Sequence, residues 1–136
     1  MKPRFRPSRR LLLGLIAPTL LLPLATLAAD APKPSNKWRI ECDGGARSAG
    51  EVSFRVTPLG GAPVEVSIKV PANHGENAIA HDLRDAFRAK LPRKQFHVEV
   101  DDGEDVLVKR RAGNPEFVLE LVSSTVEHTR FTLQRE

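Results

Sequence analysis

The chain contains no tyrosine, and its 136 residues include one cysteine, one tryptophan and one methionine. A lone thiol cannot close an intramolecular disulfide, so a fold without a covalent staple has to stand on its packed core. The shortage also removes cysteine-rich zinc motifs. The four histidines, His74, His81, His97 and His128, fall at no H-x-x-x-H or H-E-x-x-H spacing. There is no P-loop, no dinucleotide fingerprint and no G-x-S-x-G elbow. Asp101, Asp102, Glu104 and Asp105 are too tightly clustered for a twelve-residue calcium loop. They suit a solvated turn, because Asp and Gly favour hairpin tips for local backbone reasons. No catalytic, cofactor-binding or metal-binding residue is therefore assigned, and no cofactor is expected.

Long apolar runs are scarce too, with one exception. Lys2, Arg4, Arg6, Arg9 and Arg10 precede a nearly unbroken apolar stretch over residues 11–29, which ends in Ala25, Ala28 and Ala29. Positive head, apolar middle and small-residue exit describe a secretory signal peptide over residues 1–29, with cleavage near residues 28–31. Pro18 and Pro23 interrupt the run, which weighs against an uncleaved anchor. The stretch SRRLLL (residues 8–13) resembles a twin-arginine export signal but lacks its usual phenylalanine and lysine, so the general secretory route is favoured. Residues 30–36, DAPKPSN, read as a flexible linker. Residues 37–136 read as a single domain.

The leader also holds the charge excess. The whole chain has 21 Lys and Arg against 17 Asp and Glu, formally +4. Five of the cations and none of the anions lie in residues 1–29, leaving 16 against 17, or −1. A nucleic-acid role based on global basicity is thereby excluded, and the missing tyrosine removes one kind of stacking platform.

In the remainder, apolar residues mostly alternate. Trp38, Ile40 and Cys42 share one face of KWRIEC, so Cys42 is expected to be a buried structural thiol rather than an intermolecular disulfide partner. Val52, Phe54 and Val56 alternate with polar residues, as do Val64, Val66, Ile68 and Val70. Two half-buried strands joined by the turn PLGGAP should pair antiparallel. The period then lengthens: Ile79, Leu83, Phe87 and Leu91 recur every four residues, one stripe of an amphipathic helix that Pro92 ends. In QFHVEVDDGEDVLVKRR, a three-residue loop at Asp101, Asp102 and Gly103 would set Phe96 opposite Val108 and Val98 opposite Val106. Phe117, Leu119 and Leu121, then Phe131 and Leu133, should face inward from the last strands. The expectation is an α+β fold, a predominantly antiparallel sheet with one helix on one face, in the order strands, helix, strands.

The most suggestive local chemistry is basic. Arg88, Lys90, Arg93 and Lys94 cluster around the helix exit, and Lys109, Arg110 and Arg111 end one hairpin arm. If the arm returns to that end, the groups meet and form a patch for an anionic partner. The leading expectation is a small exported bacterial binding module, periplasmic or secreted. Its partner would be an envelope or extracellular protein, a polysaccharide or an anionic lipid surface, and not nucleic acid. The alternatives are a small hydrolase or metal-dependent enzyme, and a self-assembling structural subunit.

Overall fold

The computed structural model describes residues 31–136, so the expected leader over residues 1–29 lies outside the described residues. The elements are β1 (Lys37–Asp43), β2 (Gly50–Pro58), β3 (Val64–Val70), α1 (Glu76–Lys90), β4 (Phe96–Asp101), β5 (Asp105–Arg110), β6 (Phe117–Ser124) and β7 (Arg130–Arg135). Every paired ladder is antiparallel. With a single helix among the described residues, the class is α+β, mainly β. That helix is not long and apolar enough to cross a membrane.

Instead of the one sheet expected, the strands divide into two, in the orders β3-β2-β6 and β4-β5-β1-β7. The reason is coverage. Seven strands side by side would span about 29 Å, whereas one helix is about 10 Å wide and shields roughly two of them. The remaining apolar faces have to cover each other, so the sheets face across a shared core. Helix α1 packs against β3 and β4 and also reaches β5 and β1, closing the side where those two edge strands diverge.

Phe54 of β2 joins the layers. Its ring lies 5.7 Å from Phe87 of α1 and 5.8 Å, edge-on, from Phe131 of β7. A second edge-on pair, Phe96 with Phe117 at 5.2 Å, joins β4 to β6 near the other end of the core. The helix stripe is buried as its spacing predicts: Ile79, Leu83, Phe87 and the C-cap Leu91 all face inward. Trp38, Ile40 and Cys42 are buried together, and the Trp38 indole N–H donates to the Phe117 carbonyl at 2.9 Å. Burial pushes the Cys42 thiol up to about 12, with Asp105 adding to the effect, so it remains a protonated apolar filler.

At one end of the core the chain segments approach very closely. A side chain at Gly50 would meet the Thr125 carbonyl and the Val126 backbone at 2.8 Å. Nearby, the Ala46 N–H donates to the His74 carbonyl at 2.8 Å, and the Asn73 N–H donates to the Ala46 carbonyl at 2.8 Å.

Two local expectations are corrected. The β4–β5 hairpin pairs Val98 with Val108, Val100 with Val106 and Asp101 with Asp105, leaving residues 102–104 as the loop. The expected pairing and the observed one keep the same faces, so alternation alone does not separate them. The choice comes from β1. Arg39 Nη1 donates to Asp105 Oδ2 at 2.6 Å and Nη2 to Asp101 Oδ2 at 3.0 Å, which requires the two carboxylates side by side. Asp102 and Gly103 both adopt positive φ, 49° and 83°, to make the turn. Leu121 is 39% exposed instead of buried, because edge strand β6 runs beyond the core after an irregularity opposite Ser53 and Phe54.

Truncating Phe87 to alanine should destabilise the fold by about 3–5 kcal/mol, measured by denaturant unfolding. An unchanged midpoint would show that the helix is not seated on Phe54.

Candidate functional site

The site begins with the end of the helix. The Leu91 N–H still reaches the Phe87 carbonyl at 2.8 Å, but Pro92 has no N–H to continue the ladder. Instead the Pro92 carbonyl accepts from the N–H groups of Gln95, at 2.9 Å, and Phe96, at 3.0 Å, turning the chain directly into β4. The end of β5 returns beside this turn, where the Arg111 N–H donates to the Gln95 carbonyl at 2.7 Å. The two basic stretches therefore meet, as the sequence suggested.

Between them lies a cleft of about 290 Å³. Its cationic walls are Arg88, Arg93 and Arg111; Leu91, Phe96 and Val98 line the apolar part, with His97 completing it. Two guanidiniums are held by their inner nitrogens. Arg88 Nε donates to the Val98 carbonyl at 2.8 Å, and Arg111 Nε donates to the Arg93 carbonyl at 2.7 Å. Such tethering restricts each side chain while keeping its terminal Nη groups available for a planar, two-pronged contact with a carboxylate or phosphate. The ion pairs among the described residues involve none of Arg88, Arg93 or Arg111.

The expected basic residues do not all contribute equally. Lys90 and Lys94 are exposed on the flanks of the cleft, and the Lys94 carbonyl accepts from Asn114 Nδ2 at 3.4 Å. Lys109 is diverted: it pairs with Glu99, which also meets His97 Nε2 at 3.0 Å. Arg110 points elsewhere, donating from Nη1 to the Asn114 carbonyl at 2.7 Å and lining a shallower depression with Lys37. Reasoning along the sequence missed the apolar part of the cleft and His97. It also missed the β2–β3 turn, which reaches this end through the Leu59 N–H bonded to the Glu116 carbonyl at 2.9 Å. Only the uncharged composition of PLGGAP marked that turn as unusual.

Away from the cleft, Lys37, Arg39, Arg55, Arg84 and Lys109 pair with carboxylates, whereas Lys33, Arg47, Lys69, Arg130 and Arg135 make no ion pair among the described residues. Arg39 is shared by Asp101, Asp105 and Glu136, the last at 2.5 Å, and its guanidinium is held more firmly protonated as a result. Leu107, on the same outer face, is only 3% exposed between its cross-strand neighbours Arg39 and Glu99. At the opposite end of the helix, Glu76 accepts the Gly44 N–H at 3.0 Å, and its charge is the main cause of the upward shift of Glu104. Among the described residues, no three His, Cys, Asp or Glu side chains gather around a common point for a metal ion. No family model and no curated protein matches this chain.

Glu99 is held below the ordinary carboxylate range by the Lys109 ammonium first and His97 second. Glu136 is held down by Lys37 first and Arg39 second. Carboxylates depressed by folding stabilise the fold above their ordinary range and lose that contribution as the pH falls through their folded values. The melting temperature should therefore drop between about pH 5 and pH 3, and Glu99→Gln should make that drop shallower. Parallel acid profiles for the two proteins would show that the Glu99 pair contributes nothing.

Proposed function

We propose that the protein is a small exported binding module, periplasmic or secreted, that holds an acidic partner in the cleft at the end of α1 without chemically changing it. The observation that carries this reading is the set of three guanidiniums, free of carboxylate partners, beside an apolar wall. A carboxylate or phosphate entering there gains charge-assisted hydrogen bonds, while the less polar part of the ligand covers Leu91, Phe96 and Val98. Electrostatic capture of this kind weakens with salt, because mobile ions screen exposed cations over about 10 Å at 0.1 M. Export is supported by the cationic head, apolar middle and small-residue exit of residues 1–29.

The test of binding uses Arg93 and Lys94, whose side-chain nitrogens make no hydrogen bond or ion pair among the described residues. Arg93→Glu with Lys94→Glu should weaken binding to dextran sulfate at least about tenfold, and the wild-type affinity should fall as salt is added. Binding that ignores both changes would sink the reading. Export is tested separately by the intact mass of the protein purified from the bacterial envelope. The expected product begins near residues 28–31, and a cytosolic protein retaining its N-terminal arginines would refute the assignment.

A further inference from the structure

The turn over residues 58–63 is chemically unlike its surroundings. It carries no charge, residues 59–63 are all exposed, and Leu59 at 51% is the most exposed large apolar residue among those described. Its backbone is nevertheless built in. The Leu59 N–H is tied to the Glu116 carbonyl, the Gly61 N–H donates to the Pro58 carbonyl at 3.0 Å, and Gly60 takes φ 73°. The turn shares a shallow depression with Pro92, Gln95 and Pro115, residues of the two chain reversals that also carry the basic cleft. An apolar tip and the carboxylate-free cations Arg93, Lys94 and Arg111 are thus presented at one end of the molecule. The carboxylates near this turn are the partly buried Glu116 and the exposed Glu65, the latter paired with Arg55 at 2.7 Å.

From this juxtaposition we propose that the acidic partner is the surface of an anionic phospholipid bilayer, with Leu59 entering the headgroup–acyl boundary while Arg93, Lys94 and Arg111 contact lipid phosphates. The inference rests on the anionic-partner reading and adds the partner's class. A hydrated polysaccharide rewards the cations but offers nothing to an exposed leucine, whereas a bilayer rewards both. The charge distribution orients the approach. Glu76 first, then Asp105, Asp102 and Asp43, act on Glu104 near the start of the helix, so this acidic cluster faces away when the basic end meets the membrane. One apolar side chain or a few cations alone give weak attachment; the two together give reversible binding.

The experiment uses protein purified from the bacterial envelope for every variant, so that the cationic, apolar residues 1–29 do not themselves drive vesicle binding. Wild type should sediment with phosphatidylcholine vesicles containing about one third phosphatidylglycerol, and much less with phosphatidylcholine alone. Leu59→Ser, an exposed change that leaves the core intact, should weaken that partitioning about tenfold. Arg93→Glu with Lys94→Glu should weaken it at least as much. Leu59→Trp adds a reporter, since the native Trp38 is buried: its emission should shift blue with the anionic vesicles and not with dextran sulfate. Equal vesicle binding by wild type and Leu59→Ser, or an unshifted Leu59→Trp spectrum, overturns the proposal. Binding to dextran sulfate without binding to vesicles overturns it too but leaves the anionic-partner reading standing. Binding to neither removes both.

Discussion

Phe54 is the contact on which the architecture depends. From the middle of a three-stranded sheet it touches the helix through Phe87 and the four-stranded sheet through Phe131, so one buried ring joins all three layers. Neither sheet has an independent reason to stay flat. Each has one apolar face and one charged face, and only the other sheet and the helix are wide enough to cover the first. The core needs no disulfide because its aromatic contacts come from strands far apart in the chain, and Cys42 contributes volume rather than reactivity.

This arrangement also sorts the charges. On the outer face of the four-stranded sheet, cations and anions lie on adjacent strands and neutralise one another, with Arg39 as the centre and Glu99–Lys109 as a second group. The helix axis separates the rest. Glu76 belongs to its first turn and Arg88 and Lys90 to its last, consistent with the partial charges of a helix. The hairpin tip adds acid to one end, while the chain reversals at Pro92 and Arg111 add base to the other. The result is a polar molecule whose formal charge beyond residue 29 is nearly zero, which is the condition for orientation without strong nonspecific attraction.

Much of the fold was legible in alternation. Val52, Phe54 and Val56, the helix stripe from Ile79 to Leu91, and the inward set Trp38, Ile40 and Cys42 are all buried where their spacing placed them. The hairpin register was not legible, since a shift of two residues preserves every facing; Arg39, more than sixty residues upstream, makes the choice. Leu121 failed for a related reason: its spacing specified a face but not whether anything covered it. In the site, the meeting of Arg93 and Arg111 was readable from the hairpin's return, while Lys109 was lost to Glu99, its diagonal neighbour on β4.

By itself the sequence determined periodicities, turn positions, a solitary thiol and the concentration of excess positive charge in the first 29 residues, because these are properties of neighbours along the chain. Tertiary structure alone decided that seven strands divide into two sheets, which cations remain without carboxylates, and that Leu59 stands beside a basic cleft formed some thirty to fifty residues later. Those outcomes depend on covering area and on charge partners across space. Local spacing constrains neither, since it says which way a side chain points and not what it meets.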